Sequence, residues 1–147
     1  MRALIQRVSE ASVTVEGETV AAIGPGLLVL LGVAATDDEG VCDWVADKVA
    51  ALRLFVPDGS PPGDDRRMTE PLGERDVLCV SQFTLYGEVR KGTRPSWSRA
   101  APGDRAEPLY ERFCERLGAQ RGVFGADMRV ASVNDGPVTL MVEREAG

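Results

Sequence analysis

Ser81-Gln82-Phe83-Thr84 places two hydroxyls, an amide and an aromatic ring where an apolar run, Val77 to Leu85, turns polar. A Ser or Thr hydroxyl becomes a nucleophile only when a neighbouring base takes its proton, and the chain contains 0 histidines. That excludes a Ser-His-Asp triad, a Cys-His dyad and the common His-bearing zinc sites. The base would have to be a carboxylate, a lysine or a group on the substrate. The same four residues equally describe a strand end whose hydroxyls and amide satisfy backbone groups.

Two other stretches could do chemistry. Asn134-Asp135-Gly136-Pro137 lies between Met128 to Ser132 and Val138 to Val142, both of which read as strands. Locally this predicts a trans hairpin turn. Its carbonyls and amides could also discriminate a ligand's shape without side-chain chemistry. The third stretch holds Arg90, Lys91, Arg94, Arg99 and Arg105 around Trp97, which reads as a solvated loop or as a local phosphate-binding patch. The net charge of −6 argues against a general nucleic-acid binder. Cys42, Cys79 and Cys114 lie far apart, with no C-x-x-C pair, and are expected to be free buried thiols. The acidic residues show no metal-ligand spacing, and phosphate-loop and dinucleotide fingerprints are absent, so neither metal nor cofactor is expected.

The elements that must position these groups follow from periodicity. A length of 147 residues, 44% of them hydrophobic, fits one soluble domain over 1–147. Neither a signal peptide nor a membrane-length apolar run is evident, which predicts a cytoplasmic protein without membrane contact. Arg2 to Val8 and Ala11 to Val20 alternate as two strands joined by a polar turn at Ser9-Glu10. Gly24 to Val33 reads as a central strand buried on both faces. Val41, Trp44, Val45, Val49 and Leu52 form one stripe of a helix over about Asp37 to Leu54, with a Thr36/Glu39 capping box. The Pro- and Gly-rich segment after Val56 reads as loop, with a short strand near Met68. Ala106, Leu109, Tyr110, Phe113, Cys114 and Leu117 mark a second helix that starts by Pro108 and stops at Gly118. The prediction is an α+β domain with a mixed, curved sheet or open barrel and two packed helices.

"SQFTL" and "NDGPVT", together with "IQRV", "GLLVLLGV", "RPSWS" and "FGADM" in the same order, resemble the D-aminoacyl-tRNA deacylase family from Met1 to Val142. The resemblance implies a homodimer that hydrolyses the ester joining a D-amino acid, or glycine misplaced on alanine tRNA, to the 3′ end of tRNA. It implies that Ser81, Gln82, Phe83 and Thr84 line a catalytic pocket. Gly136 and Pro137, joined by a cis bond, would enter from the other subunit and reject L-amino acids. Catalysis assisted by the ribose 2′-OH would fit the missing histidine, while an older scheme makes Thr84 the nucleophile. Arg7 would orient the Gly-Pro loop or pair with an acidic residue at the strand edge, and Asn134 would support the same loop. Lys91, Arg94 and Arg99 would meet acceptor-stem phosphates. Trp97 and Thr69 depart from the family pattern. Two rivals stand beside this reading: a Ser/Thr esterase acting on small D-amino-acid esters without RNA, and a non-catalytic binding module with the Gly-Pro turn at its tip.

Overall fold

A computed structural model describes residues 1–147, apart from the side chain of Asp65. The chain runs β1 (Arg2–Val15), β2 (Glu18–Ile23), β3 (Gly26–Gly32), α1 (Glu39–Ala51), β4 (Asp76–Ser81), α2 (Gly103–Leu117), β5 (Gln120–Arg121) and β6 (Met128–Glu143). Short 3-10 turns occupy Asp65–Arg67 and Phe83–Tyr86. The strands form a single mixed sheet in the order β2-β1-β3-β4-β5, with β6 on β1; the pairs β3/β4 and β4/β5 are parallel and the rest antiparallel. The α+β architecture with a curved mixed sheet and two helices is the one expected. No helix is long and apolar enough to cross a membrane.

β1 is the axis of the sheet. Its first half pairs with β3 and its second with β2, while β6 follows its other side throughout. The polar pair Ser9-Glu10 is therefore not a turn. It lies where the β1/β6 register shifts, an extra-residue bulge in a strand that continues to Val15. The true turn is Glu16-Gly17, both at positive φ (51° and 80°), the conformation a tight two-residue hairpin needs.

The bulge also exchanges faces. Before it Ala3 and Ile5 join Leu27, Val29 and Leu31 under the helices, whereas after it Ala11 and Val13 join Leu28, Leu78 and Val80 in a second core. β3 is buried along most of its length, as a continuous apolar run between two strands should be.

α1 begins two residues later than the sequence suggests. Asp38, not Thr36, is the N-cap, accepting from Val41 N at 2.8 Å, and the helix ends at Ala51. Asp37 is committed elsewhere: its carboxylate is buried, 2.8 Å from the Met1 ammonium, and accepts from Ala34 N. α2 starts at Gly103 and keeps Pro108 inside it, on the exposed side, before Gly118 ends it at φ 62°. Arg112 clasps Asp43, and Arg116 clasps Asp47, joining the outer faces of the two helices. The strand expected near Met68 is absent: the chain there forms the Asp65–Arg67 turn and an isolated bridge between Phe55 and Glu70.

Candidate active site

β4 delivers the Ser81-Gln82-Phe83-Thr84 stretch. Ser81 is the last residue in register with β3, opposite Leu31, and Gln82 N donates to Leu31 O at 2.7 Å. The strand then breaks at Gln82 into the 3-10 turn Phe83–Tyr86. Gly32 makes room for that turn, since a Cβ there would sit 3.0 Å from Leu85 Cβ and 3.2 Å from Gln82 O. Arg2 holds it from below, donating to Leu85 O at 2.8 Å and lying over the buried Tyr86 ring. The Gln82 amide donates to the Thr84 hydroxyl. The start of such a turn points its first N–H groups outward without intrahelical acceptors.

Ser81, Gln82 and Phe83 face a cleft of about 410 Å³ whose far wall includes Tyr110, Phe124 and Met128. Thr84 lies beside the cleft and not in its wall. Tyr110 is fixed by its hydroxyl, which donates to Cys79 O at 2.7 Å, and its ring leans on Phe124 at 5.7 Å. Burial pushes the phenol of Tyr110 well above its ordinary range, so it stays protonated and is no base. Phe124 and Met128 bracket the loop that leads into β6, and the sequence alone assigns neither a role. The signal was available in an aromatic followed by Gly125, which adopts φ 78°.

Gly136 and Pro137 lie elsewhere, and not in a hairpin. β6 runs on in one direction on both sides of them. Asn134 is opposite Val8 and Thr139 opposite Gln6, so β6 takes five steps where β1 takes two. Residues 135–138 bulge out of the ladder, with Gly136 at φ 75°. Asn134 closes the base of the bulge, accepting from Val138 N and donating to Thr139 Oγ1 at 3.0 Å. Arg7, buried on β1, donates from Nε to Asp135 O at 3.0 Å and from Nη1 to Leu54 O at 2.9 Å.

The Gly136–Pro137 bond is trans, as are all the peptide bonds described, so the cis bond implied by the resemblance is corrected. Trans is favoured for an X-Pro bond by about 0.5–1 kcal/mol, and Asp135, Gly136 and Pro137 are all exposed, with no packing to oppose that preference.

The two motifs do not meet within one chain. Ser81 pairs with Leu31, Leu31 with Ala3, and Ala3 with Val142, while the bulge sits at the level of Arg7. Three strand spacings and four residues along β1 separate them by about 20 Å along the sheet. β6 pairs only with β1 among the described strands, and it exposes Val130, Val133, Leu140 and Met141.

The basic segment is a loop closed by a Glu88–Ser96 bridge. Lys91 and Arg94 are exposed in it, and the exposed Arg99 lies over the Tyr86 ring at 5.6 Å.

Comparison with known proteins agrees along the whole chain. Residues 4–143 match the family model described as D-Tyr-tRNA(Tyr) deacylase. A D-aminoacyl-tRNA deacylase of Dechloromonas aromatica is 50% identical, covering 97% of each chain. One from Symbiobacterium thermophilum is 51% identical, covering 99% of this chain and 97% of its own. Among solved structures, a c-Myc DNA unwinding element binding protein superposes with a TM-score of 0.88 at 38% identity, covering 99% of this chain and all of its own. A probable eukaryotic D-amino acid tRNA deacylase shares the fold, with a TM-score of 0.79 at 18% identity over 97% of this chain and 98% of its own. With a family match that runs from β1 to β6 and about half the residues identical to enzymes of one kind, this chain belongs to the D-aminoacyl-tRNA deacylase family.

Proposed function

We propose that the protein hydrolyses the ester of D-aminoacyl-tRNA, and of glycine misplaced on alanine tRNA, at a site completed by a second copy of the chain. The observation that carries this reading is the separation of Ser81-Gln82-Phe83-Thr84 from the Gly136-Pro137 bulge. Each is built with care, yet one chain cannot bring them together. A two-fold pair of chains would cover the open side of β6 and its exposed Val133, Leu140 and Met141. It would also bring the bulge of one copy toward the cleft of the other.

In this reading the cleft beside Phe124 and Met128 takes the terminal adenosine, an aromatic base in an apolar slot. The amides at the start of the Phe83–Tyr86 turn face the ester carbonyl, where negative charge develops as water adds. The acyl carbon–ribose oxygen bond then breaks, the ribose oxygen recovers a proton, and a D-amino acid and tRNA leave. The ribose 2′-OH, already beside the acyl carbon, supplies the assistance that a histidine would otherwise give. The partner's Gly-Pro backbone occupies the volume that an L side chain needs, so L-esters clash while D-esters and glycine enter. Asn134 and Arg7 hold that backbone in place, and Lys91, Arg94 and Arg99 meet tRNA phosphates. The protein acts in the cytoplasm, where charged tRNA is.

Deacylation of paired D- and L-aminoacyl-tRNA tests the reading. Release of the D-amino acid alone is expected, with the rate falling at least tenfold when the terminal ribose lacks its 2′-OH. An unchanged rate on the 2′-deoxy substrate would favour the protein-based Ser/Thr esterase, and Thr84→Ala would then decide the nucleophile. A chain that sediments as a monomer at micromolar concentration and still rejects L-substrates would end the shared-site proposal.

A further inference from the structure

We propose that Trp97, with the cationic loop that precedes it, is a stacking clamp for the single-stranded RNA nucleotide just before the one seated in the Ser81-Gln82 cleft. The proposal rests on the reading that the substrate is an aminoacylated tRNA.

Trp97 is 43% exposed and Phe83, with which it makes an edge-to-face contact at 5.3 Å, is 55% exposed. Phe83 also lines the cleft and Trp97 does not, so the indole stands one ring beyond the cleft wall. Two large exposed aromatics in contact cost solvation, and their position beside a cleft marks a binding surface.

The indole is held for this position. A Cβ on Gly87 would lie 2.7 Å from Trp97 Cζ3 and 3.3 Å from Cε3, so the ring packs directly on the Gly87 backbone. The loop leading to it is pinned by Glu88 N to Ser96 O at 2.8 Å and Ser96 N to Glu88 O at 3.0 Å. Ala100 N donates to Trp97 O at 3.0 Å on the other side. A base landing on this ring loses little further side-chain entropy from the protein.

The charges complete the clamp. The chain as a whole carries −6 and repels RNA. Between Glu88 and Arg99, however, Arg90, Lys91, Arg94 and Arg99 face a single carboxylate. Arg90 is near that carboxylate, at 3.7 Å, while among the described residues Lys91 and Arg94 have no acidic partner. An aromatic face with free cations beside it binds single-stranded nucleic acid by stacking and phosphate neutralisation, with little regard to base identity.

The test is fluorescence anisotropy with a labelled, uncharged ribotetranucleotide of tRNA 3′-end sequence, run on the full chain, on Trp97→Ala and on Trp97→Phe. Trp97→Ala should weaken binding about tenfold, the loss of one stacked base, and Trp97→Phe should recover most of it. In deacylation, Trp97→Ala should raise KM for D-aminoacyl-tRNA about tenfold with kcat little changed. The loss on a D-aminoacyl-adenosine ester, which has no preceding nucleotide, should be several-fold smaller. Equal losses on both substrates would make Trp97 a mere support for Phe83 and overturn the clamp. Equal oligonucleotide affinity for Trp97→Ala and wild type would also overturn it, and a shifted monomer–dimer equilibrium in that variant would assign the indole to contact between copies. Wild type that binds the oligonucleotide through Trp97 but releases no D-amino acid would instead sink the proposed activity and leave the clamp standing.

Discussion

Replacing Arg7 by lysine separates two of the things that this side chain does. Its guanidinium spans two carbonyls on different segments, Asp135 O at 3.0 Å and Leu54 O at 2.9 Å, from a buried position. Lysine keeps the charge but presents one compact ammonium on a flexible stem, and cannot reproduce a planar fork. One charge-assisted hydrogen bond lost in a buried setting is worth about 2 kcal/mol. For a domain of this size that lowers Tm by about 4–8 °C. If the bond lost is the one to Asp135, the bulge opens more easily than the rest of the sheet. Its amides, residues 134–139, should then exchange about 30-fold faster, the factor that 2 kcal/mol sets. Rejection of L-aminoacyl-tRNA should weaken in the same variant, because the obstructing backbone is no longer held. The assay is hydrogen exchange by mass spectrometry at peptide level, beside thermal unfolding and the D/L deacylation ratio. A Tm that falls while residues 134–139 exchange as in wild type would refute the reasoning, leaving Arg7 as a core residue with no hold on the bulge.

Asp37→Asn removes the partner of the buried Met1 ammonium, 2.8 Å away. It should destabilise the fold by about 3 kcal/mol, seen as a lower urea midpoint with an unchanged slope. Burial pushes the Cys42 thiol up to about 12 from an ordinary 9.0, so the folded state holds this proton more tightly than the unfolded chain does. Its contribution is complete below pH 9 and is lost as pH rises toward 12, and urea midpoints measured across that window should fall. Cys79 is pushed up in the same sense by its burial, and all three cysteines are buried. A thiol reagent at pH 8 should therefore label none of them until the chain unfolds.

Where the signal was local, the sequence could be read directly. The stripe Ala106, Tyr110, Phe113 and Cys114 of α2 and the left-handed Gly118 depend on residues within a few turns of one another, and the structure has them as expected. The misreadings share a cause: a distant partner decided each one. Ser9-Glu10 has the polarity of a turn, but β6 carries the strand past it as a bulge. Thr36 and Glu39 have capping-box spacing, but Asp37 is drawn to Met1 and the cap passes to Asp38. Asn134-Asp135-Gly136-Pro137 has the composition of a hairpin because turns and bulges both need a glycine at positive φ. Nothing nearby reveals that the strand resumes in the same direction. As for the candidate site, its residue types were legible in the chain, while the cleft wall of Phe124 and Met128 and the distance between the two motifs needed the fold.

The two bulges keep count together. β1 carries one extra residue at Ser9-Glu10, and β6 carries three between Asn134 and Thr139 relative to the stretch it faces. Both numbers are odd, and in a structure of period two an odd excess turns a strand over. This is why Met128 packs against the same core as Val13, while Val142 follows Ala3 under the helices. Loss of one residue from the excursion would turn Glu143 inward and put the buried Val142 outside. Loss of two would preserve parity, leaving both cores with their proper side chains. Excision of Gly136 and Pro137 together is thus the shortest change that deletes the excursion's tip without inverting the strand behind it.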